Sequence, residues 1–184
     1  MLHFERGSEW RRWDLHIHTP GTIKNDQFEG SCIEDKWNSF YDAISSYIGD
    51  GSNPLKRIEV IGITDYLSID NYLKVVAEKR IPDTVSLILP NVELRMVPIA
   101  KSSPINIHCI FDPEIVDGLE GRFFSKLTFS FFNGSSYSAS HDELVRLGRD
   151  FEGNQSLSKD AAYEAGISQF ILEFSSLKSV FDTD

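Results

Sequence analysis

The sequence predicts an α/β fold in which parallel strands curl into a partial or distorted β/α barrel. Three observations predict it. Short apolar, β-prone runs recur at residues 12–19, 58–64, 85–89, 92–96 and 106–111. Helical patterns separate the early runs, as expected of βαβ units with right-handed crossovers. Successive runs also carry an imidazole or carboxylate near their C-terminal part, an expensive placement unless the group is paired or binds metal. In a parallel barrel, chemistry gathers at that end of the strands.

The first strand runs from Arg12 to Thr19. Its side chains alternate, so His16 and His18 share a face with Asp14 behind them, while Leu15 and Ile17 point towards a core. Two imidazoles side by side on a rigid strand suit a transition metal. A His-x-His pair on an exposed strand face also arises by chance, so the dipeptide alone leaves both readings open. Pro20 to Gly30 reads as a loop at the mouth of a site. Ser31 and Glu34 form a capping box for a helix ending near Ile48, with Ile33, Trp37, Phe40, Tyr41, Ile44 and Ile48 as its core-facing stripe. Gly49 to Pro54 stops that helix.

Ile58 to Thr64 is the second strand, ending at Asp65, and a helix follows near Ile69 to Lys79. Val85 to Leu89 is the third strand. Val92, Leu94 and Met96 then alternate with Glu93 and Arg95 as a half-buried strand, and Asn106 to Phe111 places His108 in the next. Beyond Asp112-Pro113 an aromatic stretch, Phe123, Phe124, Phe129, Phe131 and Phe132, reads as core packing or a protein interface. Its expected hairpin pairs Leu127–Phe132 with Tyr137–Ala139. Ser140 and Glu143 read as a second capping box, which makes His141 a helix-start residue first and a metal ligand second. Residues 158–181 read as one helix whose Phe170, Ile171, Phe174, Leu177 and Phe181 need a covering surface.

Composition fits one domain of 184 residues with a core of its own. No run is long enough to span a membrane, and the first residues lack the apolar stretch of a signal peptide. Cys32 and Cys109 are too few for a disulfide framework, which favours the cytoplasm. Eighteen basic against 28 acidic residues leave a net charge of −10. Such a chain repels nucleic acid at long range unless bound cations offset its field. The local basic group is Arg6, Arg11 and Arg12.

Asp14-Leu15-His16-Ile17-His18-Thr19, then Gly62-Ile63-Thr64-Asp65, then Pro90-Asn91-Val92-Glu93, then the isolated His108 resemble the PHP (polymerase and histidinol phosphatase) family. Trp10-Arg11-Arg12-Trp13 and Leu144-Val145-Arg146-Leu147-Gly148-Arg149 resemble the PHP domain at the front of TrlF-like AAA/SMC-type ATPases. The resemblance covers roughly residues 8–150, with 8–112 as the metal-site half of the domain and 113–184 as its α+β continuation.

The resemblance implies a distorted barrel with two or three divalent ions, Mn, Zn or Fe, hydrolysing phosphoesters. His16, His18 and Glu93 would hold one ion, and Glu93 would bridge to a second held with His108. Asp65 would act with Glu93 in catalysis, as a ligand or as support for one, and Asp14 would support His16. The resemblance further implies a nuclease-like activity on a phosphoester, DNA or RNA among the options. It places that activity beside an ATPase domain, in cis or in trans, in DNA repair or phage defence. The chain would then be the front of a longer protein.

Two departures oppose this. Tyr66 stands where many members of the family have histidine, either replacing it as a ligand or filling its space, and no late Asp-x-His pair is present, leaving only His141. Both favour the rival reading of a degenerate, non-catalytic binding or regulatory module.

Overall fold

A computed structural model describes residues 11–23, 26–49, 52–53, 57–100, 103–132 and 134–182. Arg6, Trp10 and Pro54, used in the sequence argument, lie outside the described residues. In chain order the elements are β1 (Arg12–His18), α1 (Ile33–Ile48), β2 (Ile58–Tyr66), α2 (Asp70–Glu78), β3 (Leu87–Ala100) and β4 (Ser103–Ile110). They continue with α3 (Leu119–Arg122), β5 (Thr128–Ser130), β6 (Ser136–Ser138), α4 (His141–Glu152), α5 (Lys159–Gln169), β7 (Leu172–Glu173) and α6 (Phe174–Asp182). No helix among the described residues is long and apolar enough to cross a membrane.

The main sheet has the order β1-β2-β3-β4, with β7 also on β3, and it curls into a half-barrel. β1 with β2, and β2 with β3, are parallel, each pair joined through a helix as the alternating pattern requires. β4 departs from the expected parallel set. It returns antiparallel along β3, with Glu93 opposite His108, because the chain between Ala100 and Ser103 is far too short for a crossover. The runs read as separate strands on either side of Pro90 form one strand, β3. Pro90 offers no N–H, but its carbonyl still accepts the Phe111 N–H at 3.0 Å, so the pairing continues past it.

One sheet face is apolar. Ile61, Ile63, Val92, Leu94 and Met96 lie in the core shared with Trp37, Phe40, Tyr41, Ile44 and Ile48 of α1 and with Val75 of α2. Each such side chain contributes about 1.5–3 kcal/mol on burial. Ile33, counted in the α1 stripe, is instead exposed at the first turn. The expected Ser31–Glu34 capping box does not form. Cys32 takes the cap position, and the Ser31 N–H donates to Asp35.

The C-terminal part closes on the sheet. β5 and β6 form the expected hairpin with Phe129 opposite Tyr137. Phe123, Phe124 and Phe131 are buried, whereas Phe132 is exposed. Ser140 precedes α4 as expected, but Glu143 pairs with Arg146 and completes no capping box. The single helix expected over 158–181 breaks at Phe170. There the Arg95 guanidinium donates to the Ile167 and Ser168 carbonyls at 2.6 Å each, and β7 pairs with Met96 and Val97. Phe170 and Leu177 are buried by this turn, while Phe174 and Phe181 stay exposed. α4 and α5 cross so closely that a Cβ on Gly166 would lie 3.2 Å from Leu144 Cα and closer still to its carbonyl.

Candidate metal centre

The other face of the main sheet is polar. His16 and His18 come from β1, Thr64 and Tyr66 from β2, Asn91, Glu93 and Arg95 from β3, and Asn106 and His108 from β4. Period-two alternation puts each set on one side of its strand, and the register aligns Tyr66, Glu93 and His108 across three strands. The β1 ladder is irregular between Asp14 and Ile17. A bulge of this kind re-aims side chains, and here it leaves His16 Nε2 and His18 Nε2 3.0 Å apart.

Glu93 is the centre of the cluster, and its side chain is 2 % exposed. Its two oxygens differ. Oε1 accepts from Tyr66 Oη at 3.0 Å and from Asn106 Nδ2 at 2.5 Å. Oε2 is buried with no hydrogen-bond partner among the described residues, 3.4 Å from His18 Nε2 and 3.8 Å from His16 Nε2. A buried carboxylate oxygen without a donor is costly, and the usual remedy is a hydrogen-bond donor or a metal. Donor atoms on one ion at about 2.1 Å lie roughly 3.0–3.5 Å apart at adjacent positions, close to the spacings seen here. His16, Glu93 and His108 also offer ligand atoms that lie within 4.8 Å of one another. Three imidazoles around one carboxylate could hold a divalent ion, and nitrogen and oxygen donors suit Zn, Mn or Fe.

His18 and His108 are biased towards the neutral, ligating form. Burial, the dominant cause, holds His18 and His108 below the ordinary value of 6.5, although the Glu93 carboxylate pulls the other way. The neutral ring keeps a lone pair for metal. His16 is about half exposed, which opens the cluster to solvent.

The remaining candidates fall in different places. Asp14 does not touch the His16 ring. Its carboxylate accepts the His16 backbone N–H at 3.2 Å and the Tyr47 hydroxyl at 3.2 Å, which steadies the bulge from behind. Asp65 alternates with Tyr66 and so faces α2. There it accepts the Asn71 N–H at 3.1 Å and Asn71 Nδ2 at 2.7 Å. Burial raises its pKa to about 6 despite those two bonds. Tyr66 stacks near His18 with its hydroxyl on Glu93, so it orients that carboxylate. His141 stacks on Tyr163 at the start of α4 and, among the described residues, belongs to no donor group with the other histidines. Arg11 of the basic opening pairs with Glu59, as does Arg57.

Tyr66 also lines a cleft of 380 Å³ that carries Asp65, Asp70, Asp160 and Glu164. Four carboxylates make it a poor receptor for a phosphate. Sequence reasoning missed Asn91, Thr64 and Asn106, which place the ligands. For Asn91 and Asn106 the available signal was parity with Glu93 on β3 and with His108 on β4; Thr64 gave none, since its alignment depends on the β2–β3 register. No protein-family model, curated protein or solved structure matches the chain.

Proposed function

We propose that the chain is a metal-dependent phosphoester hydrolase of PHP type, working as a nuclease-like partner of an ATPase domain. The observation that carries this reading is the buried Glu93 Oε2, without a hydrogen-bond donor among the described residues, facing the Nε2 atoms of His16 and His18. The distorted-barrel resemblance supplies the phosphoester class, and the half-barrel with its polar face is compatible with it.

His16, His18 and Glu93 Oε2 would hold the ion, with His108 as a fourth donor. A divalent ion there supplies Lewis-acid activation of water and of a phosphoryl oxygen. The chain's own groups fix the ligands. Tyr66 and Asn106 occupy Glu93 Oε1, so Oε2 is the oxygen Glu93 would offer to an ion. The side chains present therefore favour one ion over the two or three that the resemblance implies. A cation also offsets part of the net charge of −10 that repels a phosphoester.

A second reading, a metal-holding or degenerate module without catalysis, is favoured by one observation. Asp65, the carboxylate expected to act with Glu93, is committed to Asn71. Hydrolysis of bis-p-nitrophenyl phosphate with added Mn²⁺ separates the two. Turnover that falls at least 100-fold in Glu93→Gln supports the hydrolase. Tight Mn²⁺ binding with no turnover on this ester, nucleotides or DNA supports the module.

A further inference from the structure

We infer that Asn91 is a positioning residue that fixes the tautomer of His108 and so turns the His108 Nε2 lone pair into the cluster. The inference rests on the metal reading above and deepens it.

The chain of causes starts at Gly62. A Cβ there would lie 2.9 Å from Leu15 Cα and closer still to the Leu15 carbonyl, so only glycine lets the bulged β1 lie this close over β2. The Leu15 carbonyl then accepts from Asn91 Nδ2 at 2.6 Å, and Thr64 Oγ1 takes the second Nδ2 proton at 3.0 Å. These two bonds settle which end of the amide is which. Reversing it would put an amide oxygen 2.6 Å from a carbonyl oxygen, two acceptors with no proton between them. Asn91 Oδ1 is therefore the atom that faces His108 Nδ1, at 3.1 Å.

An amide oxygen accepts and cannot donate, so His108 Nδ1 must carry the proton. Nε2 is then the unprotonated nitrogen. A neutral imidazole in water prefers the opposite tautomer, and the partner of the remote nitrogen decides which one a protein uses. Asn91 is 2 % exposed, so its amide is held away from solvent. Sequence spacing shows none of this, because Gly62, Leu15, Asn91 and His108 lie on four different strands.

The test uses metal-free protein labelled with ¹⁵N-histidine at pH 8, with the His108 signals assigned by their loss in His108→Gln. The expected spectrum shows Nδ1 protonated and Nε2 unprotonated. A dominant Nε2–H form overturns the inference. In Asn91→Leu the tautomer should become mixed, and Zn²⁺ affinity, measured by chelator competition, should fall about 10- to 100-fold. Unchanged tautomer and affinity in that variant overturn the role of Asn91.

If the leucine variant fails to fold, the wild-type spectrum alone keeps the inference testable, because a dominant Nε2–H form there overturns it. Failure of the wild-type protein to bind Zn²⁺ at all would overturn the metal reading and the ligand role of His108. The tautomer, read without metal, would still decide the lock by itself.

Discussion

Replacing Glu93 by glutamine should make the metal-free protein more stable and the metal-loaded protein less so. In the metal-free protein Oε2 is buried beside the His16 and His18 rings and lacks a donor among the described residues. A glutamine oxygen can take the Oε1 position and keep the bonds from Tyr66 and Asn106. Its amide nitrogen then occupies the Oε2 position, where it can offer an N–H to His18 Nε2 3.4 Å away. An unsatisfied buried polar atom costs about 1–3 kcal/mol. For a chain of this size each kcal/mol moves the midpoint by about 2–4 °C. Glu93→Gln in EDTA at pH 8 should therefore melt about 2–12 °C above wild type.

Adding Mn²⁺ reverses the order. A ligand at 100 times its Kd contributes about 2.7 kcal/mol, so wild type should gain about 5–11 °C while the variant gains little. Differential scanning calorimetry with and without metal reads both arms. A variant that melts below wild type in EDTA would show that Oε2 is not an unsatisfied group. Equal Mn²⁺ shifts in both proteins would show that Glu93 is not a ligand.

Asp65 gives the chain a pH dependence with a defined sign. Burial raises its pKa from 3.8 to about 6, so the folded protein holds this proton more tightly than the unfolded chain. The stability it contributes is present below the unfolded value and is lost as pH rises through about 6, by an amount on the order of 3 kcal/mol. Urea titrations in EDTA should show Asp65→Asn gaining on wild type between pH 4 and pH 7, and a constant difference would contradict this. Gly166→Ala should destabilise by about 1–3 kcal/mol in chemical unfolding, because α4 and α5 must move apart to admit the methyl group; a neutral result would refute that close crossing. Arg95→Leu should cost about 1.5–3 kcal/mol by freeing the last carbonyls of α5. It should also speed amide exchange at β7; unchanged exchange would mean that the break at Phe170 is held by something else.

The histidine pair and Glu93 were legible because each violates the apolar pattern of its own strand, a local signal. The Phe129–Tyr137 hairpin was legible for the same reason, through alternation and an intervening glycine. Cross-strand facts were not. That Asp65 and Tyr66 face opposite ways follows from alternation, but which of them meets Glu93 depends on the register of β2 against β3, which single-strand patterns do not encode. The antiparallel return of β4 turns on how few residues follow Ala100, and the strand pattern reads the same in either direction. The break in the helix expected over 158–181 comes from Arg95, more than seventy residues earlier. Apolar periodicity continues through Phe170 and so hides it.

The measurement that tests the central claim most directly is metal content by elemental analysis of protein prepared with excess Mn²⁺ or Zn²⁺ and then desalted. The account predicts about one divalent ion per chain, as befits a single three- or four-donor site. It also predicts loss of that ion in His16→Ala/His18→Ala with the circular dichroism spectrum unchanged. A wild-type protein that retains no metal, or a double variant that retains it in full, would contradict the account.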